Sequence, residues 1–420
     1  MPTNESRLLL YCAHIRPSDG SCEEIERLLH LPLDWHEILA AAAWHSVKPL
    51  LYHSLRGCPV SQSIPQGIMR QLKKSYDDIV VRNMYIYATL ARLLPLFTQQ
   101  GIKCIVLKGA MLADTVYGDI GLRPMQDIDL LFNKKDVSRV ISILSELGYQ
   151  HEGSKLPEHY LDNHHHITYT HPDTDIPIEV HWHIAHDRHP GRLRLTDADL
   201  IEAWFERARP VTLSNIETWS LCPSDLLFHL CLHFLKHRVA PSGGIFVTSA
   251  GLLQLVDMAR VINYYDDEMD WEQLYRQAEK YKITDLIAVT LQLAREVCLE
   301  QGIKNEADNF PFRWQAGDFE YKGLMHKRLT LYEDMTQPLP GEMMLPARLR
   351  NLRVMLRGVA RWLLPAKPVL AQRYAVPETS RRMYFYYLMK PCNLTKTIML
   401  FMQQRPRLKE ERKLNKWISG

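Results

Sequence analysis

Apolar residues return every three or four positions in "EEIERLLHL", "WHEILAAAAWHSVKPLLYHSL" and "YIYATLARLLPLF". This spacing predicts a helical region over residues 1–99. The period then shortens. "IKCIVL" (102–107) and "DIDLLF" (127–132) are short apolar runs bounded by turn residues, which read as buried strands. Between them "AMLADTVYG" predicts a helix, and after them "KDVSRVISILSELGY" predicts an amphipathic helix that Gly148 ends. "HHITYT" and "IPIEVHWHI" are two further strands, separated by the turn composition "HPDTD". After Pro223 the helical period returns in "PSDLLFHLCLHFLKH", "GLLQLVDMARVINYY", "WEQLYRQAEKY" and "TDLIAVTLQLAREVCLEQ". The expected fold class is therefore α+β. A small mixed-sheet core over 100–222 stands between helical regions over 1–99 and 223–303, followed by a weakly periodic linker over 304–345 and an extension over 346–420.

Of the 420 residues 46% are apolar and 24% charged, a balance that argues against disorder and a polytopic membrane protein. No apolar run reaches the roughly 18 residues of a transmembrane helix. Eight cysteines are scattered without a C-x-x-C pair, and the N-terminal residues do not follow the basic-then-apolar pattern of a leader, so a reduced, cytoplasmic chain is expected. The net charge of +3 conceals an asymmetry: residues 346–420 carry 17 Lys and Arg against 3 Asp and Glu, leaving 34 basic and 45 acidic residues in the first 345. In this extension arginines alternate with apolar and aromatic residues, as in "RLRNLRVMLRGVARWLL" and "RRMYFYYLMK". Four uses fit that pattern: packing on the chain's own acidic body, peripheral contact with an anionic membrane at the inner face, nucleic-acid binding, or a lid over a cleft.

Candidate chemistry begins with Asp127 and Asp129. Two apart on a strand, they turn both carboxylates to one face, roughly 6–7 Å apart at the backbone, where they can grip a divalent cation. A strand can also open on an exposed acidic pair, and D-x-D alone does not separate the two readings. Glu179 in "IPIEVHWHI" shares a strand face with His181 and His183, away from Ile178 and Val180, and could complete an acidic site. Three carboxylates around two Mg²⁺ ions are what nucleotidyl transfer requires. Lys108-Gly109 falls where a strand gives way to a helix, a place suited to a phosphate through backbone N–H groups and the lysine charge.

The stretch "GIKCIVLKGAMLADTVYGDIGLRPMQDIDLLF" resembles the core signature of uncharacterised nucleotidyltransferase family 5, a bacterial branch of the DNA polymerase β-like nucleotidyltransferase superfamily. The residues that carry the likeness are Lys108-Gly109, Tyr117-Gly118-Asp119, Arg123 and the Asp127/Asp129 pair. "LDWHEILAAAAWHSVKPLLYHSL", "PSDLLFHLCLH" and "LLQLVDMARVI" resemble the flanking helices, so the likeness spans about residues 5–300. It implies a nucleotidyltransferase fold and transfer of a nucleoside monophosphate from an NTP, with Mg²⁺ or Mn²⁺, to an acceptor of unnamed identity. It also implies that Asp127, Asp129 and Glu179 are the catalytic and metal-binding acids, with Lys108, Gly109 and Arg123 at the nucleotide. Family members are associated with polysaccharide or natural-product biosynthesis, which points the acceptor in that direction. One departure bears on activity: the superfamily's usual Gly-Ser turn is Lys-Gly in this chain. The alternative is a non-catalytic nucleotide-binding scaffold or assembly protein on the same fold.

Ten of the 19 histidines lie between His151 and His189. Such density is compatible with zinc and with a metal-dependent hydrolase, but the segment has no cysteine. His181, on the face of Glu179, is expected to contact phosphate, or else to belong to a polar strand surface. His229, His233 and His237 form one stripe on a predicted helix, with packing as one reading and, for His233, a place in the cleft as the other. Asp257, an acid in the apolar "LLQLVDMARVI", is expected to cap or pair internally, with acceptor binding as the other reading.

Overall fold

In the computed structural model the described residues are 3–13, 19–58, 63–151, 157–174, 176–184, 198–238 and 251–299. All of them belong to one compact unit, Met1–Pro338. The expected linker (304–345) and basic extension (346–420), with His186 and His189, lie outside the described residues.

The N-terminal region is helical, as its spacing predicts: α1 (Asn4–Cys12), α2 (Asp19–Leu29), α3 (Trp35–Trp44), α4 (Lys48–Arg56) and the 34-residue α5 (Gln66–Gln99). Polar side chains set two of the starts. Thr3 accepts from the Ser6 amide ahead of α1, and Asp34 accepts from the His36 and Glu37 amides ahead of α3, which satisfies N–H groups that a helix cannot pair internally. The apolar stripes of these helices, through Leu8, Leu28, Ile38, Leu50 and Leu90, are buried.

Seven strands then form one mixed sheet: β1 (Cys104–Val106), β2 (Ile128–Phe132), β3 (Gln150–His151), β4 (His166–Thr170), β5 (Ile178–His181), β6 (Arg209–Leu213) and β7 (Ile216–Ser220). Their order is β3-β4-β5-β2-β1-β7-β6. The central β1 and β2 are buried on both faces and antiparallel, whereas β2 runs parallel to β5 and β1 parallel to β7. Burial on both faces is why these two read as unbroken apolar runs, while β4, nearer the edge, alternates buried and half-buried positions. Phe97 of α5 meets Phe132 of β2 edge to face, with ring centroids 5.1 Å apart. Helix α7 (Val137–Glu146) is closed by Gly148 in the left-handed region (φ 89°), the expected stop.

The sheet is larger than the four strands expected. The pair β6 and β7 is a hairpin whose two-residue turn, Ser214-Asn215, has positive φ at both positions (46° and 69°), the geometry of a twisted tight turn. Ser-Asn is a weaker sign of that turn than Asn-Gly, and half of the pair's residues are polar. Two short helices, α8 (Pro157–Asn163) and α9 (Ala198–Arg207), flank these additions; α6 is introduced with the site below. The last region is helical as expected: α10 (Pro223–Arg238), α11 (Gly251–Tyr264), α12 (Trp271–Lys280) and α13 (Thr284–Leu299). Every residue from Pro223 to Leu232 of α10 is buried, with α11, α12 and α13 packed around it. Among the described residues no helix is long and apolar enough to cross a membrane.

Helix α5 also shapes the loop that leads into β2. The Tyr76 hydroxyl donates to both carboxylate oxygens of Asp119 (2.9 and 2.8 Å). The buried Asn83 amide donates to the carbonyls of Ile120 and Arg123, and Arg82 donates to those of Met125 and Gln126. The loop backbone lies so close that a Cβ on Gly121 would stand 2.4 Å from the Tyr76 ring and 2.7 Å from Val80. Gly121→Ala should therefore push the loop off α5 and destabilise the protein by about 1–3 kcal/mol, the usual range for overpacking. Urea unfolding of the variant beside wild type measures this, and an unchanged midpoint would refute the clamp.

Candidate active site

Parallel pairing of β2 and β5 sets Asp129 directly beside Glu179. Asp127 stands immediately before β2 and, two residues from Asp129, turns to the same face. One carboxylate oxygen from each of the three lies within 4.8 Å of the others. The three acids expected from the sequence thus converge. Asp129 is buried to 4% side-chain exposure, whereas Glu179 keeps 25%, so the cluster is open on the Glu179 side.

Like charges at this spacing repel strongly where water is excluded, and two basic side chains answer them. The Lys108 Nζ donates to Asp129 Oδ1 at 2.8 Å, and His181 Nε2 lies 3.0 Å from both Asp129 Oδ1 and Glu179 Oε2. Burial opposes ionisation of Asp129, yet Lys108 and His181 overcome it and hold that carboxyl well below its usual range. Glu179 is lowered in the same way, against its burial, mainly by His181. Burial works against the charge of His181 too, but its hydrogen bonds to Asp129 and Glu179 raise it above an ordinary histidine. Asp127 has no such donor; burial, then the charge of Asp129, pushes it up to about 6. On the neighbouring strand, burial and then the charge of His181 push His166 down to about 4, so that ring is neutral.

Lys108 has φ 39°, in the left-handed region, and opens α6 (Lys108–Met111), a single turn continued by a π turn over Leu112–Val116. The helix expected after β1 is thus short. Its lysine is turned back onto Asp129. Gly109 is needed for space: a Cβ there would lie 2.9 Å from Arg123 Nη1 and 3.0 Å from Met125.

The Arg123 guanidinium grips Asp257 of α11 through Nε (3.0 Å) and Nη2 (2.8 Å), in an ion pair where Asp257 is 1% exposed, and its charge also acts on Asp127 and Asp129. The Tyr117 hydroxyl donates to the same Asp257 at 2.6 Å, and the Arg260 guanidinium lies 3.7 Å over the Tyr117 ring. Asp257 therefore pairs internally, as its apolar surroundings imply. Tyr117, Asp119 and Arg123 thus fix the loop to α11 and α5.

Residues 32–298, well over half of the chain, match the family described as "uncharacterised nucleotidyltransferase". The chain belongs to this nucleotidyltransferase family. No curated protein matches it. Solved structures similar to it include a lincosamide antibiotic adenylyltransferase bound to lincomycin, 16% identical over 42% of this chain and 95% of that one, with a TM-score of 0.27. Another is the antibiotic-resistance factor ANT(2'')-Ia, 11% identical over 48% and 98%, TM-score 0.30. A third is an antigenic nucleotidyltransferase-like protein from Paracoccidioides brasiliensis, 10% identical over 51% and 93%, TM-score 0.25.

In this nucleotidyltransferase the sequence reading passed over Lys236. From α10 its Nζ lies 3.0 Å from His165 Nε2, and burial, then the charge of Lys108, lowers it. The signal was present: Lys236 continues the His229 and His233 stripe at helical spacing. His229 itself is buried edge to face on Trp204, and His233 meets Gln254 of α11.

Two substitutions separate the roles of these groups. Removing the carboxylate in Asp257→Ala strands a buried guanidinium and should cost about 3–5 kcal/mol of stability in denaturant unfolding. Asp127→Asn should do the opposite. Because the folded protein raises the Asp127 pKa to about 6, folding is favoured below the unfolded value and that advantage is lost as pH rises through about 6. In chelator at pH 7.5 the asparagine variant should be more stable than wild type by about 1–3 kcal/mol, with the difference gone below about pH 4.

Proposed function

We propose that this nucleotidyltransferase moves a nucleoside monophosphate from an NTP to a hydroxyl on an acceptor from polysaccharide or natural-product biosynthesis. The observation that carries the reading is the convergence of Asp127, Asp129 and Glu179 within 4.8 Å on adjoining strands. The donor set fits a hard divalent cation: oxygen ligands only, one of them a carboxyl that burial, then the charge of Asp129, pushes up to about 6. Mg²⁺ or Mn²⁺ held there would draw charge from the polyphosphate and make the acceptor hydroxyl more acidic.

The chain's own groups divide the remaining work. Lys108 brings a buried positive charge to the edge of the acidic cluster, where phosphate oxygens gather charge as the leaving group departs. It supplies charge where the superfamily's turn has a serine hydroxyl. His181 holds Glu179 Oε2 and leaves Oε1 to take the proton of the acceptor hydroxyl. The acceptor oxygen bonds to the α-phosphorus, the bond from that phosphorus to the bridging oxygen breaks, and pyrophosphate leaves with the electron pair.

Glu179→Gln should lower turnover by two orders of magnitude or more with nucleotide affinity nearly kept, because its work is on the attacking group. Asp129→Asn should weaken metal-nucleotide binding as well. Pyrophosphate release from each NTP and calorimetric titration of Mn²⁺-NTP measure the two effects. Nucleotide binding without pyrophosphate release by the wild-type protein, across candidate acceptors, would instead support the scaffold reading, which the neutralisation of the acids by Lys108 and His181 favours.

A further inference from the structure

Beside the acidic cluster lies a second set of donors of different chemistry. His166 of β4 stands directly across the ladder from His181 of β5, and Glu179, two residues earlier, shares their face. One ligand atom from each of His166, Glu179 and His181 falls within 4.8 Å of the others. Both imidazoles present Nε2 to the carboxylate: His181 Nε2 is 3.0 Å from Glu179 Oε2, and His166 Nε2 is 3.9 Å from Oε1. A tetrahedral ion with ligand bonds near 2.0–2.2 Å spaces its donors about 3.4 Å apart, and the two distances straddle that value. The rings are 5.0 Å apart and tilted by 33°, as two ligands to one centre can be. His166 Nδ1 has no hydrogen-bond partner, so no other contact fixes the tautomer against Nε2 coordination. Side-chain exposures of 26% for His166 and 25% for Glu179 leave an approach from solvent.

We propose that His166, His181 and Glu179 bind a divalent transition-metal ion, of the zinc or cobalt kind, at a position that shares Glu179 with the all-carboxylate cluster. Two imidazoles and one carboxylate form the set that selects borderline ions and leaves a coordination position open, whereas Asp127, Asp129 and Glu179 offer oxygen alone and suit magnesium. Occupation replaces the hydrogen bonds of His181 to the two carboxylates with a bond to the metal, and Glu179 then bridges the two positions. The inference does not depend on nucleotidyl transfer, since it holds equally for a protein that only binds nucleotide.

The test uses the full chain, stripped with chelator and titrated with Co²⁺, whose visible absorption reports nitrogen ligation at low coordination number. Elemental analysis after equilibrium dialysis against Zn²⁺ counts bound ions. Wild type should show the cobalt band and hold one more equivalent of zinc than His166→Ala, which should lose the band. His166 is a partly exposed ring, and its removal should leave circular dichroism and Mg²⁺-NTP affinity unchanged. Asp127→Asn should keep the band. An identical band and an identical zinc count in wild type and His166→Ala would overturn the proposal, while normal pyrophosphate release in both would leave the nucleotidyltransferase reading standing.

Discussion

Carboxylates forced together in a place with little water are the constraint around which this protein is arranged. The parallel register of β2 and β5 leaves Asp129 and Glu179 no choice but to be neighbours, and Asp127 follows from its spacing along the chain. Their repulsion is balanced locally. Lys108 sits in a backbone region that a lysine seldom occupies and is tied to Asp129, while one nitrogen of His181 serves two acids at once. A residue stays in such a conformation only where the structure around it over-determines it, as the bond to Asp129 does.

The support lies one layer back. Tyr76, Arg82 and Asn83 of α5 hold the loop before β2 by its backbone and by Asp119, while Tyr117 and Arg123 hold it to Asp257 of α11. The approach to β2 is thus fixed by hydrogen bonds to a loop anchored on two helices, one before it and one after it in the sequence. Gly109 and Gly121 matter for the same reason, since each marks a point where another group must pass within reach of the backbone.

Much of this was legible in the amino acids and some was not. Strands buried on both faces announced β1 and β2, alternation announced β4 and β5 and set Glu179 on the face of His181, and two-residue spacing placed Asp127 and Asp129 together; that the two faces are one came from the β2–β5 register. Asp257 was readable as an internal partner because an acid amid Leu, Val and Met must find one. The partner of Arg123 was not legible, because a position in a motif says nothing of an acid 134 residues away. Asn83 and Arg82 look like ordinary polar residues of a long helix, and their importance exists only once the loop returns to them. Lys236 was obscured by the histidines around it, and the β6–β7 hairpin by strands that are half polar with a turn of Ser and Asn.

The contact between Gly109 and Arg123 links parts that a domain description would separate. The guanidinium that holds Asp257 occupies the space a side chain at position 109 would take, next to the lysine that answers Asp129. The turn after β1, the loop before β2 and α11 therefore form one interlocked joint, and the last helices are not an optional attachment to the sheet. Residues 109, 117, 123 and 257 therefore depend on one another, and a change at any one of them alters the space or the charge that the other three meet.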